Sequence, residues 1–215
     1  MSTIKADAIT ASTGTNTNIA ITGKGSGKVA IGDGTLLFPD SDGSTGQYIK
    51  TDGSANLAFA TLPTGGKVVQ VVNTQTGAVA TGSTQSPADD TIPQISEGNE
   101  YMTVAISPTS SSNKLVIDVH VNWSCATASS ACTFAIFQDS TAGAIFASYA
   151  YPDNATSAYA NSFTHYMTAG TTSATTFRLR CGGYGNAPFT LNGRSGSRQL
   201  GGVLLSSITI TEISV

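Results

Sequence analysis

Beyond residue 66, apolar and polar positions alternate with a period of two. In NKLVIDVHVNWS (113–124), Leu115, Ile117, Val119 and Val121 fall on one face, while Val116, Asp118, His120 and Asn122 fall on the other. KVVQVVNTQT (67–76), which is β-branched, and YMTVAISP (101–108), ACTFAIFQD (131–139), TSAYANSFTHYMTA (156–169), TTFRLRCGGY (175–184), APFTLNG (187–193) and VLLSSITITEISV (203–215) read as further strands. Turn residues separate these runs at the spacing of a sandwich, and no ten-residue window has helical periodicity. The pattern predicts an all-β chain whose residues 67–215 form about eight antiparallel strands in two packed sheets, a jelly roll.

The first 66 residues read differently. Their alternation is weak, and Asp-Gly pairs punctuate them at Asp33-Gly34, Asp42-Gly43 and Asp52-Gly53. Asp-Gly favours tight turns with positive φ, so a short meander is predicted, with strands near 35–38, 46–51 and 56–61. The LPTGGK stretch (62–67) reads as a linker. Only three aromatics precede it: Phe38, Tyr48 and Phe59. Ordering each residue costs about 1–2 kcal/mol, and an isolated hairpin is marginal in water. A segment this poor in large apolar side chains is expected either to be disordered or to pair its strands with other copies, and the regular turns favour pairing. The residues expected to make such contacts are Leu36, Phe38, Tyr48, Ile49, Leu57 and Phe59.

Composition sharpens this division. Charged residues make up 11% of the 215, against about 25% in an average soluble domain. Formal net charge is −3, with no Lys/Arg cluster to recruit nucleic acid. The opening MSTIKADAITAS has no apolar core of a signal peptide, and no stretch approaches the length of a membrane span. A product made in a cytoplasm, with no membrane insertion, is expected. Cys125, Cys132 and Cys181 are an odd number and argue against a disulfide framework. Cys125 and Cys132 flank a predicted turn, and whether they bond stays open.

Candidate chemistry is thin. GKGSGKVA (23–30) evokes a phosphate loop, yet Thr22 and Val29 stand where a P-loop needs Gly and Ser/Thr, and no βαβ unit follows. Asp40 and Asp42 lack the late Glu of a calcium loop. His120 and His165 are too few for a zinc site by themselves. No GxSxG elbow is present. No catalytic residue, metal or cofactor is therefore expected, and the chain is read as a non-enzyme. Asn122-Trp123-Ser124 and Asn154-Ala155-Thr156 match glycosylation acceptors, read as coincidence in an Asn-, Ser- and Thr-rich chain. The aromatic-rich stretch ASYAYPDNATSAYANSFTHY (147–166) is more telling, because Tyr among small polar residues is the palette of adaptable binding surfaces. Tyr149, Tyr151, Asp153, Asn154 and Tyr159 are candidate receptor or glycan contacts. Phe163 and Tyr166 are read as alternating into the sandwich core rather than as contacts, while Tyr151 suits either role. Arg194 and Arg198 in NGRSGSR (192–198) are candidates for anionic sugars.

FPDSDGSTGQYIKTDGSANLAFATL (38–62) resembles a segment near the N-termini of tail-fibre and related virion proteins of bacteriophages, marine and cyanobacterial phages in particular. The resemblance rests on Pro39, Asp42-Gly43-Ser44, Gly46-Gln47, Tyr48-Ile49, Thr51-Asp52-Gly53-Ser54 and Leu57-Ala58-Phe59; the opening MSTIKADAIT is similar too. SPTSSSNKLVIDVHV (107–121), TTFRLRCGG (175–183) and SSITITEIS (206–214) resemble jelly-roll heads on phage fibres. The resemblance implies a homotrimer located in the virion, attached by residues 1–66 to tail or capsid proteins, with a head that meets host surface polysaccharide. Full tail fibres are much longer, which leaves open a short fibre, a spike, or a capsid decoration or cement protein without receptor binding. A polysaccharide depolymerase would need paired carboxylates across a cleft, and the sequence offers no obvious pair.

Overall fold

The computed structural model describes residues 30–31, 36–39, 43–54, 56–63, 65–155 and 157–215. Its contacts divide the chain into two units, Met1–Pro63 and Thr64–Val215.

Two short strand pairs make up the described part of the first unit. β1 (Ala30–Ile31) pairs antiparallel with β2 (Leu36–Leu37). β3 (Gln47–Thr51) pairs antiparallel with β4 (Leu57–Thr61), placing Ile49 opposite Phe59. The turn between them is built on Asp52, whose carboxylate accepts hydrogen bonds from the Ser54 amide, the Asn56 amide and the Asn56 side chain. Those bonds, the Ser54 amide first, lower its pKa. Gly53 supplies the left-handed conformation the turn needs, at φ +81°. No described residue of this unit is buried. Tyr48 and Ile49 are 38% and 46% exposed, while Phe38, Leu57 and Phe59 are half-buried. Asp33, Gly34, Asp40, Asp42, most of the GKGSGKVA stretch and the opening MSTIKADAIT lie outside the described residues, as does the side chain of Leu36.

The second unit contains β5 (Val68–Thr76), β6 (Ala80–Gly82), β7 (Asn99–Ile106), β8 (Lys114–Cys125), β9 (Cys132–Gln138), β10 (Phe146–Ala150), β11 (Tyr159–Thr168), β12 (Thr175–Gly183), β13 (Phe189–Leu191), β14 (Gly193–Arg194), β15 (Ser197–Arg198) and β16 (Ser206–Ile213). One sheet runs β10-β9-β12-β7. In the other, β11 lines one edge of β8, while β16 and β13 share its opposite edge, pairing with residues 114–120 and 123–125 respectively. β5 and β6 continue this arrangement outside β16 and β13. Each sheet thus has four strand positions. Counting β5 with β6 and β13 with β16 as single positions, the chain passes between the sheets at every step except the β9–β10 hairpin. This is the eight-position connectivity of a jelly roll, and the antiparallel sandwich expected from the alternation is present.

The core lies between the sheets. Leu115, Ile117, Val119 and Val121 all point inward with 2% exposure or less, as their phase in β8 dictates. Trp123 anchors one end. Its ring stacks parallel to Phe189 at 5.8 Å and meets the edge of Phe134 at 5.2 Å, and its indole N–H donates to Asn161 Oδ1 at 3.0 Å. Along the β10–β11 side, Phe146 stacks on Phe163 at 4.8 Å. Phe163 therefore belongs to the core as expected, but Tyr166, expected there too, is three residues on, of opposite phase, and 59% exposed.

Two features were not foreseen in the sequence. Residues 147–150, expected within the aromatic-rich loop region, lie with Phe146 in edge strand β10, paired to β9 with Tyr149 opposite Thr133. Residues 85–98 form a loop closed by the Gly98 amide bonding to the Gln85 carbonyl at 2.9 Å, the geometry of an Ω-loop. It lies over the outward side of β9. Thr133 donates to the Ser86 carbonyl at 3.2 Å, the Ala144 amide to the Pro93 carbonyl at 2.9 Å, and Arg180 to the carbonyls of Glu97 and Gly98 at 3.0 and 2.7 Å. Outward-facing Ala135 and Phe137 are consequently buried.

Candidate functional site

A groove separates the tip of the 85–98 loop from β10. Its central stretch encloses about 450 Å³ and is lined by Pro87 to Thr91 on the loop side and by Ala147, Ser148, Tyr149 and Tyr151 on the strand side. It continues in one direction past Ile92 and Ile145. In the other it reaches Ser129, Ser130 and Tyr184. Tyr149 and Tyr151 stand two residues apart on an extended chain, so both project to the outer side of the sandwich. Their rings meet edge to face at 5.6 Å and 87°, and they are 60% and 58% exposed. Asp89 accepts from the Thr91 amide and hydroxyl, which shapes the loop tip. The backbone beneath is held firmly. The Tyr184 amide donates to the Ala131 carbonyl at 2.8 Å, and the Ser129 amide to the Pro152 carbonyl at 2.8 Å.

The predicted contacts are divided by this arrangement. Tyr149 and Tyr151 come together in the groove. Tyr159 is half-buried against Trp123 at 5.2 Å, and its phenol oxygen accepts from the Asn154 amide at 3.1 Å. It braces the 151–158 loop and lines none of the groove. Asp153 and Asn154 are exposed on that loop, outside the groove lining. Arg194 and Arg198 sit on the β14–β15 hairpin, whose Ser195 and Gly196 amides reach Ser124 Oγ and Thr190 Oγ1. That hairpin covers the Ser124 and Thr190 end of the outer face of the β8 sheet, on the opposite side of the sandwich from Tyr149. Sequence reasoning missed Asp89, Asp90, Ser148 and Tyr184. They come from three separate segments that only the fold brings together.

A second constellation lies on the open face of the β8 sheet. His120 Nδ1 is 2.9 Å from Ser162 Oγ, and Asn122 Nδ2 is 3.1 Å from His120 Nε2. The spacing suggests a serine–histidine–asparagine relay, but the protons are placed wrongly for one. The Asn122 amide also donates to the Leu205 carbonyl at 2.6 Å, which orients Nδ2 as the donor toward Nε2. The neutral imidazole then carries its proton on Nδ1, pointing at Ser162, and has no lone pair there to accept the serine proton. His165 packs on Phe146 at 5.8 Å, and burial lowers its pKa. The three cysteines are free and buried. Hydrogen bonding to Cys125, with burial, pushes the Cys132 thiol up, and burial pushes up Cys181. Among the described residues, no group of three or more His, Cys, Asp or Glu could hold a metal ion, and no helix is long and apolar enough to cross a membrane.

No family model matches the chain, and neither does any curated protein. Among solved structures, it is similar to dimeric latent PorU from Porphyromonas gingivalis, with TM-score 0.31 and 7% identity over 71% of this chain and 14% of that one. It is also similar to the VP2 subviral particle of infectious bursal disease virus, with TM-score 0.32 and 10% identity over 73% of this chain and 41% of that one. The chain thus spans less than half of either protein, and likenesses this weak transfer no role to it.

Proposed function

We propose that the chain is a non-enzymatic virion structural protein of a bacteriophage, a short trimeric fibre or spike. Its first unit attaches to the particle, and its jelly roll adheres to host surface glycan. The observation that carries the adhesion reading is the groove between the 85–98 loop and β10. It is concave, sits on a rigid sandwich, and presents exposed Tyr149 and Tyr151 beside hydroxyl and carboxylate groups. Aromatic faces stack on sugar rings, and a few polar groups orient them. Three copies on one axis would multiply weak sites into useful avidity. The attachment reading is supported by the resemblance of residues 38–62 to fibre N-termini.

Hydrolysis is the competing use of such a groove. Glycosidases place two carboxyl groups on either side of the scissile bond, about 5–10 Å apart. Here Asp89 and Asp90 are successive residues of one wall, and the facing wall offers Tyr149, Tyr151 and Ser148. Excess purified chain is expected to bind host cells and to block adsorption of the phage that carries it, without releasing reducing ends from host polysaccharide. The Tyr149→Ala, Tyr151→Ala double variant should lose the block. A wild-type chain that decorates capsids and ignores host cells would overturn the adhesion reading in favour of a cement protein.

A further inference from the structure

We propose that the groove selects a protonated amine carried on a sugar, such as an amino sugar whose nitrogen is not acetylated. This deepens the adhesion reading above and rests on it.

The argument begins with charge. Asp89 and Asp90 line the central stretch, and among the described residues no Lys, Arg or His lines any of its three stretches. The Asp90 carboxylate has no hydrogen-bond partner among the described residues and remains available to a ligand. A field of this sign repels uronic or sialic acids and attracts a cation. That assigns the groove the opposite preference from the one Arg194 and Arg198 suggested in the sequence, and those arginines lie on the other side of the sandwich.

The aromatic geometry points the same way. Tyr149 and Tyr151 pack edge to face, which leaves open ring faces at the corner they form. Aromatic faces carry negative charge density, and cations are held over them, as in the aromatic cages that bind alkylammonium groups. Tyr184, 56% exposed, adds a third ring at the far end of the groove. Thr91 and Ser130 supply neutral hydroxyls whose oxygens can accept from the hydroxyls of a sugar. An alkylammonium head such as choline shares the cationic chemistry but would use none of them.

The test uses the full chain and three probes in calorimetric titration: a fully deacetylated glucosamine tetramer, the same tetramer fully N-acetylated, and choline. The expected result is at least tenfold tighter binding of the deacetylated tetramer than of either other probe, weakening with salt and with rising pH as the amine loses its proton. Asp90→Asn should cut that affinity several-fold and leave the acetylated tetramer unchanged, with the far-ultraviolet circular dichroism preserved. Equal affinity for both tetramers would overturn amine selection while leaving sugar adhesion standing. Choline binding as tightly as the deacetylated tetramer would overturn the sugar requirement. If none of the probes binds, the inference falls, and adherence of the full chain to host cells then decides separately whether the adhesion reading falls with it.

Discussion

Glu212 is a fully buried carboxylate near the end of the last strand, and its neighbours explain why it is tolerated there. Burial alone would raise its pKa. Hydrogen bonds from Gln70 Nε2 and Asn113 Nδ2, both 2.6 Å, and from the Thr109 hydroxyl and amide at 2.9 and 2.8 Å outweigh burial and hold it at about 2. One anion thus ties β5 and the 109–113 turn to β16. Glu212→Gln puts an amide donor against donors and should cost on the order of 1–3 kcal/mol at neutral pH, measured by urea unfolding. Because the folded pKa lies below the ordinary value of 4.5, the ion's contribution is complete above about pH 4.5. It is lost as pH falls toward 2, since the unfolded chain takes up the proton first. The wild-type and variant stabilities should therefore converge over that window. A constant difference from pH 7 to pH 2 would show that the charge contributes nothing.

At the scale of elements, the 85–98 loop decides whether the groove exists, and Gly182 decides where the loop lies. A methyl group at Gly182 would come within 2.5 Å of the Thr84 carbonyl oxygen and 3.0 Å of Gly98 Cα. Both neighbours are backbone at the two ends of the loop, so Gly182→Ala should displace it as a unit. Loss of about 2 kcal/mol or more is expected in thermal unfolding, together with faster amide exchange at Ile95 and Gly98 and loss of the proposed glycan binding. Unchanged exchange there would show that the loop does not depend on this close approach. Most strands of the sandwich were legible because they bury one face and so alternate, β8 most cleanly. β10 was not, because FASYA mixes small residues with a Tyr that points to solvent, and Pro152 follows at once. The loop left a sign that went unused. Cys132 to Phe137 is apolar or small at nearly every position and buried at all of them, and a strand without alternation has both faces covered. What covers the outer face is a polar, proline-bearing segment whose own sequence predicts nothing. The same fact hid half of the groove, since Asp89, Asp90 and Tyr184 acquire meaning only when three segments meet.

The whole molecule is unequal in its halves. The second unit holds every buried apolar residue among those described and has the size and core of an independently folding domain. In the first unit, the β3–β4 hairpin leaves Tyr48 and Ile49 exposed and buries no side chain fully. Its five register pairs and the Asp52 turn specify a shape without supplying the burial that would maintain it in water. In the proposed reading, assembly with other copies, or docking on the particle, would supply that burial on Tyr48, Ile49, Leu57 and Phe59, four of the six residues the sequence singled out. Hydrogen exchange separates the possibilities. In dilute monomer, the β3–β4 amides should exchange within seconds while those of β8 and β9 stay protected for hours; in the assembled state the hairpin amides should slow by at least a hundredfold. Removal of residues 1–66 should leave the melting of the second unit unchanged and abolish its incorporation into particles. A hairpin protected equally in monomer and assembly would mean that the first unit is stable by itself, and the need for neighbours, with the attachment role built on it, would fall.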